Sequence, residues 1–156
     1  MKAVATSAPV FRDLDFGEIE AMLKEHTYGR LAFSFRDRVD IEPVHYVYDN
    51  GWLVCRTGPG TKLTQLEHHP WVAFEIDDVR GLFEWRSVVV KGTVYFADPD
   101  GSGVNDETWR SSLEALRRLV PTALMPDDPT PGRNVIFRIH IDEMHGRAAV
   151  RSAGRA

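Results

Sequence analysis

The stretch Val44 to Leu63, V-H-Y-V-Y-D-N-G-W-L-V-C-R-T-G-P-G-T-K-L, constrains this chain more than any other. Two alternating runs flank Asp49-Asn50-Gly51, and Asn-Gly between such runs is a strong hairpin signal. The second run stops at Arg56-Thr57 and breaks into Gly58-Pro59-Gly60. Thr61-Lys62-Leu63 then opens a helical pattern. One short loop thus receives a guanidinium, two hydroxyls, glycine amides and an ammonium, and it leads into a helix N-terminus that favours an anion. These residue types suit a phosphate: Arg56 can grip two oxygens at once, while Lys62 acts as a point charge. The order of letters is not that of a Walker loop. The same letters also suit a hairpin end with solvated charges, and the loop alone does not decide between the two.

Around this hairpin the chain reads as short strands with few helices. Residues 1–12 read as a flexible arm. Phe16, Ile19, Met22 and Leu23 recur at helical spacing, with Asp15 as N-cap and Glu18 three residues on. Strands are expected at 30–35 and 39–44, and Pro43 in the second predicts an edge, a bulge or an unpaired carbonyl. Further strands are expected at 52–56, 71–77, 85–96 and 135–141, with a short helix after the glycine loop. Residues 78–82 read as a loop. Val88-Val89-Val90 predicts burial on both faces, and Gly92 predicts a bend or a close backbone approach. Asp98 to Gly101 is a turn cluster. Trp109, Leu113, Leu116 and Val120 mark a second long helix over 106–119. Pro121, Pro126, Pro129 and Pro131 make 121–133 a long connector, a kind of segment that is often functional. The tail from His145 has room for one more short strand, and 148 to 156 is expected to fray. Six strands in runs, rather than alternating with helices, predict a mainly β single domain: an antiparallel barrel with flanking helices.

With 156 residues and a net charge of −4, the chain suits one domain and not a general nucleic-acid binder. No apolar run approaches a bilayer's thickness. The single cysteine excludes an intramolecular disulfide, and a cytoplasmic location is the expectation. No metal site is expected, because the histidines lack ligand spacing. Cys55, mid-strand in apolar company, reads as a buried, inert thiol. His45 reads as an outward strand residue that could contact a ring. Trp85 reads as core, and Ser87 either as a strand-start residue or as a hydrogen-bond partner for a flat heteroaromatic ring.

Taken in order, several stretches resemble the pyridoxamine 5'-phosphate oxidase-like, FMN-binding split-barrel superfamily, in particular its small flavin-nucleotide-binding branch. They are Tyr28 to Phe33, Pro43 to Tyr46, Arg56 to Leu63, Val72 to Asp77, Glu84 to Gly92, and Phe137-Arg138-Ile139. The resemblance implies a six-stranded split β-barrel forming a homodimer, with two FMN sites at the interface. It implies that Thr57, Thr61 and Lys62 hold the phosphate with Arg56 nearby. Pro43, Val44, His45, Tyr46, Val54 and Cys55 would line the ring and ribityl chain, with Ser87 and Val88 at the ring edge or ribityl and Trp85 also among the cofactor-binding residues. The activity implied is an oxidoreductase passing a hydride between flavin and a small organic molecule. A deazaflavin-dependent reductase and a non-enzymatic flavin carrier or sensor are the alternatives. No catalytic residue is assigned. Arg138-Ile139-His140 has the Arg-x-His letters of the true oxidases without their Trp- and Gly-rich setting, so vitamin B6 oxidation itself is not implied. Cys55 stands where the nitroimidazole-reductase branch places a histidine, so that activity is not implied either.

Overall fold

The computed structural model describes residues 8–98 and 104–151. Helix α1 (Phe16–Glu25) begins where the sequence predicts: Asp15 accepts from the Glu18 backbone N–H at 2.9 Å, and the Glu18 carboxylate accepts from the Asp15 N–H at 2.9 Å. Arg12 adds a bidentate ion pair to Glu18 and helps hold that carboxyl down at about 2. Asp15→Ala removes one half of this reciprocal cap. It should lower stability by about 1 kcal/mol, read as a thermal midpoint roughly 3 °C lower with unchanged circular dichroism.

One antiparallel sheet forms the body. Its strands are β1 (Pro9–Asp13), β2 (Tyr28–Phe35), β3 (Arg38–His45), β4 (Val47–Asp49), β5 (Trp52–Thr57), β6 (Trp71–Gly81), β7 (Glu84–Ala97) and β8 (Val135–Arg151). They are ordered β3-β2-β6-β7-β8-β5-β4, with β1 added beside the far half of β8. The sheet curls so that Leu31, Phe33, Phe74, Ile76, Val88, Val90, Phe137, Ile139, Leu53 and Cys55 enclose one core, which α1 caps with Met22 and Leu23. Two further helices, α2 (Thr61–His68) and α3 (Val104–Arg117), flank this body. Val54, Ala97 and Ile136 face outward on the opposite side, and α3 covers them with Leu113, Ala115 and Leu116.

Closure comes from the covalent chain. β3 and β4 are consecutive in sequence yet lie at opposite ends of the strand order, with only Tyr46 between them. The Tyr46 N–H donates to Thr27 O at 2.9 Å and its hydroxyl to Leu23 O at 2.8 Å, while its ring meets Phe74 edge-on. A wholly buried tyrosine therefore ties the two edges together where no ladder does. The hairpin itself is as read: β4 and β5 pair through the two-residue turn Asn50-Gly51, both at positive φ (46° and 85°), as a type I′ turn requires.

Several expectations are corrected. The sheet has eight strands rather than six. Residues 9–13 are not an arm but a strand on 147–151, so the stretch from 148 to 151 is paired rather than frayed; residues 1–7 and 152–156 lie outside the described residues. Residues 78–81 continue β6 because the β6–β7 ladder runs on past Asp77, where a sequence rich in charge reads as loop. Val47–Asp49, which none of the expected strands covers, forms a separate strand paired with β5. Val89 is exposed, since only alternate residues of β7 point into the core. The turn cluster from Asp98 to Gly101 falls largely outside the described residues. Pro43 does lie on an edge strand. Gly92 does mark a close approach: a Cβ there would collide with the carbonyl oxygen of His140, beside the register shift between β7 and β8.

Candidate functional site

The first turn of α2 is where the loop from β5 arrives. Its N-cap, Gly60, makes no side-chain cap hydrogen bond, so the first-turn amides of the helix carry no side-chain cap. Beside it lies a cleft of about 580 Å³, a volume in the range of small-molecule sites. One wall is the end of β3 and the start of β2: Glu42, Pro43, Val44, His45 and Tyr28. The floor is Arg56 and Thr57 at the end of β5, with Lys62 from α2. The opposite wall is Leu116 of α3, Leu119 and Val120 just past it, and Pro129, Thr130 and Arg133 of the connector.

Six of the sequence-derived residues meet here: Pro43, Val44, His45, Arg56, Thr57 and Lys62. The others do not line this cleft. Tyr46, Val54, Cys55 and Val88 are fully enclosed by protein, so in this chain they are core. Burial pushes the Cys55 thiol up to about 12, against the pull of nearby Lys62, which leaves it unreactive. Thr61 opens α2 but is exposed outside the cleft lining. Trp85 packs on Phe11, and Ser87 sits in the ladder between Asp77 and Arg147. Arg138 stacks on Trp52 at 3.9 Å, and His140 binds Asp142 at 2.7 Å, both outside the cleft lining.

Two contacts change how the loop reads. Arg56 is not a solvated cation: its guanidinium grips Asp128 bidentately at 2.6 and 3.0 Å and donates to Thr130 Oγ1 at 2.7 Å. The side chains are 8% and 0% exposed. Asp128 also accepts from the Leu124 and Thr130 backbone N–H groups, both at 2.9 Å. Hydrogen bonding from Arg56 holds its carboxyl well below the usual carboxylate range. Arg56 therefore fastens the connector as the cleft's wall. Gly58 completes the junction, since a Cβ there would come 2.9 Å from the Gly132 carbonyl oxygen. The second contact is Lys62 Nζ to Glu42 Oε2 at 2.6 Å. An ammonium has three donors, and this pair uses one.

Sequence reasoning missed Tyr28, Glu42, Leu116, Leu119, Val120, Pro129, Thr130 and Arg133. The connector's length was a signal for the last three. Nothing local pointed to Glu42. Tyr28 packs against His45, with the rings tilted at 58° and their centroids 5.5 Å apart, and the His45 ring reaches Thr27 O at 3.3 Å. Among the described residues no cluster of three or more His, Cys, Asp or Glu side chains is placed to hold a metal ion, and no helix is long and apolar enough to cross a membrane.

Chemically the cleft offers the Thr57 hydroxyl and the Lys62 ammonium with donors to spare, together with the Arg133 guanidinium and the apolar residues of β3, α3 and the connector. A family model described as pyridoxamine 5'-phosphate oxidase matches residues 15–148. An uncharacterised protein of Rhizobium meliloti (strain 1021) is 28% identical over 138 residues, 85% of this chain and 91% of that protein. A crystal structure of a FAD-binding protein from Mesorhizobium loti is 26% identical, covers 92% of this chain and all of that one, and superposes with a TM-score of 0.67. A conserved protein of unknown function from Corynebacterium diphtheriae is 29% identical, covers 90% of this chain and 98% of its own, with a TM-score of 0.68.

Proposed function

This chain belongs to the pyridoxamine 5'-phosphate oxidase family, and on that premise we propose that the cleft holds a flavin nucleotide, FMN in the first instance, for an oxidoreductase acting on a small organic molecule. The observation that carries this reading is that Thr57 and the first-turn Lys62 of α2 line one cleft together with apolar residues of β3, α3 and the connector. The donor set fits a phosphate, and the walls of Pro43, Val44, Leu119, Val120 and Pro129 fit a flat, largely apolar ring. Bound flavin would supply hydride chemistry. The chain's own part is binding and positioning: Lys62 and Thr57 anchor the charged end, while β3 and the connector confine the ring between them. The similarity to a FAD-binding protein from Mesorhizobium loti supports a flavin.

The direct test is to load the purified protein with FMN and record its visible spectrum and fluorescence. A tightly held, quenched flavin that is reduced by a nicotinamide donor and reoxidised by small acceptors is expected. A protein that takes up no flavin, or that turns over only with reduced deazaflavin, would remove FMN from this reading.

We further propose a homodimer. Val39, Ile41 and Trp71 are 80%, 64% and 68% exposed on the outer sheet face, and Val39 and Trp71 rim a shallow hollow with Ala32 and Ala73. Large apolar side chains grouped around such a hollow mark an association surface. Ile41→Asp with Trp71→Asp is expected to convert the dimer to a folded monomer by light scattering at micromolar concentration. A wild-type monomer would sink the proposal.

A further inference from the structure

We propose that Glu42 is a charge-selecting residue at the anion end of the cleft, limiting how much negative charge the phosphate on Lys62 can carry. This rests on the reading that the cleft takes a flavin nucleotide. Glu42 Oε2 lies 2.6 Å from Lys62 Nζ, and both side chains line the cleft, with Lys62 17% and Glu42 39% exposed. An anion reaching Lys62 from the cleft therefore meets this carboxylate too. Arg56 does not offset it, because its guanidinium is already taken up by Asp128. Lys62 then serves two anions at once, with Arg133 the remaining guanidinium of the cleft lining.

The repulsion scales with the product of the charges. A terminal phosphomonoester carries about −1.5 to −2 at neutral pH, because its second proton leaves near pH 6. In the pyrophosphate of FAD a similar total charge is divided between two phosphates, one charge each, so a single charge lies against Lys62 and the other is farther from Glu42. Glu42 therefore disfavours the monoester of FMN more than the internal phosphates of FAD, and it leaves uncharged riboflavin unaffected. If Glu42 only aimed Lys62 into the cleft, the opposite sign would follow, because its removal would loosen the ammonium and weaken every phosphorylated flavin.

The experiment is titration of flavin fluorescence with riboflavin, FMN and FAD on wild type, Glu42→Gln and Glu42→Ala. Glu42→Gln keeps the shape and one acceptor beside Lys62. FMN affinity is expected to rise roughly tenfold in both variants, FAD affinity to rise less, and riboflavin affinity to stay put. Riboflavin binding also reports that the cleft is intact in each variant. An FMN affinity that is unchanged or lowered, or a rise shared equally by riboflavin, would overturn the assignment of Glu42 while leaving the flavin reading standing. Failure of all three proteins to bind any of the three ligands would overturn both.

Discussion

Replacing Lys62 with alanine should weaken FMN binding about a hundredfold, and adding Thr57→Ala should bring the loss to roughly a thousandfold. A hydrogen bond to a charged group contributes on the order of 1.5–3 kcal/mol, and each 1.4 kcal/mol is a factor of ten. Lys62 contributes charge as well as a donor, so it carries the larger share. Riboflavin binding should hardly change, because nothing at the phosphate end is lost to it. The fold should hold: Glu42 is 39% exposed, so its carboxylate stays in reach of water when Lys62 is removed. Comparing FMN and riboflavin on the same variants separates an anchor from a general defect. Equal losses for both ligands, or none for either, would sink the assignment of Lys62.

The second large effect is structural and reaches the site indirectly. Arg56→Met would leave the carboxylate of Asp128 buried without its cation, one of the more costly defects a core can carry. A thermal midpoint lowered by on the order of 10 °C is expected. FMN affinity should fall as well, since Pro129, Thr130 and Arg133 lose the anchor that sets them against β3. The pH dependence follows from the depressed Asp128 carboxyl. A carboxyl whose folded pKa lies below its ordinary value of 3.8 adds stability that is fully present above that value and is lost as pH falls through the folded one. The gap between wild type and Arg56→Met should therefore be widest near neutral pH and shrink in strong acid. Calorimetry at pH 7 and at pH 3 reads this directly, and a gap that does not change with pH would refute the account. Asp128→Asn gives a second check, since it removes the charge while keeping an oxygen for the Leu124 and Thr130 amides.

Arg56 also shows where reading the sequence reaches its limit. As a letter beside a glycine loop it looks like a phosphate ligand. In the fold it belongs to the connector, through a partner 72 residues away. Glu42 is the converse case: nothing in the sequence singles it out, yet in the fold its carboxylate pairs with Lys62 at 2.6 Å.

What the sequence determined by itself is the set of features with a local cause. Asp15 and Glu18 cap a helix because each reaches the other's amide within one turn. Asn50-Gly51 sets a hairpin because only residues tolerant of positive φ can make that turn. Gly92 announces a close approach because any side chain there would meet a backbone. The barrel class, the glycine loop and its lysine were legible for the same reason. Tertiary structure alone decided that Tyr46 hands the chain from one edge of the sheet to the other, that 9–13 pairs with 147–151, and that the connector becomes a wall of the cleft. Those outcomes depend on which distant groups arrive opposite one another once the sheet curls, and periodicity along the chain carries no record of that meeting.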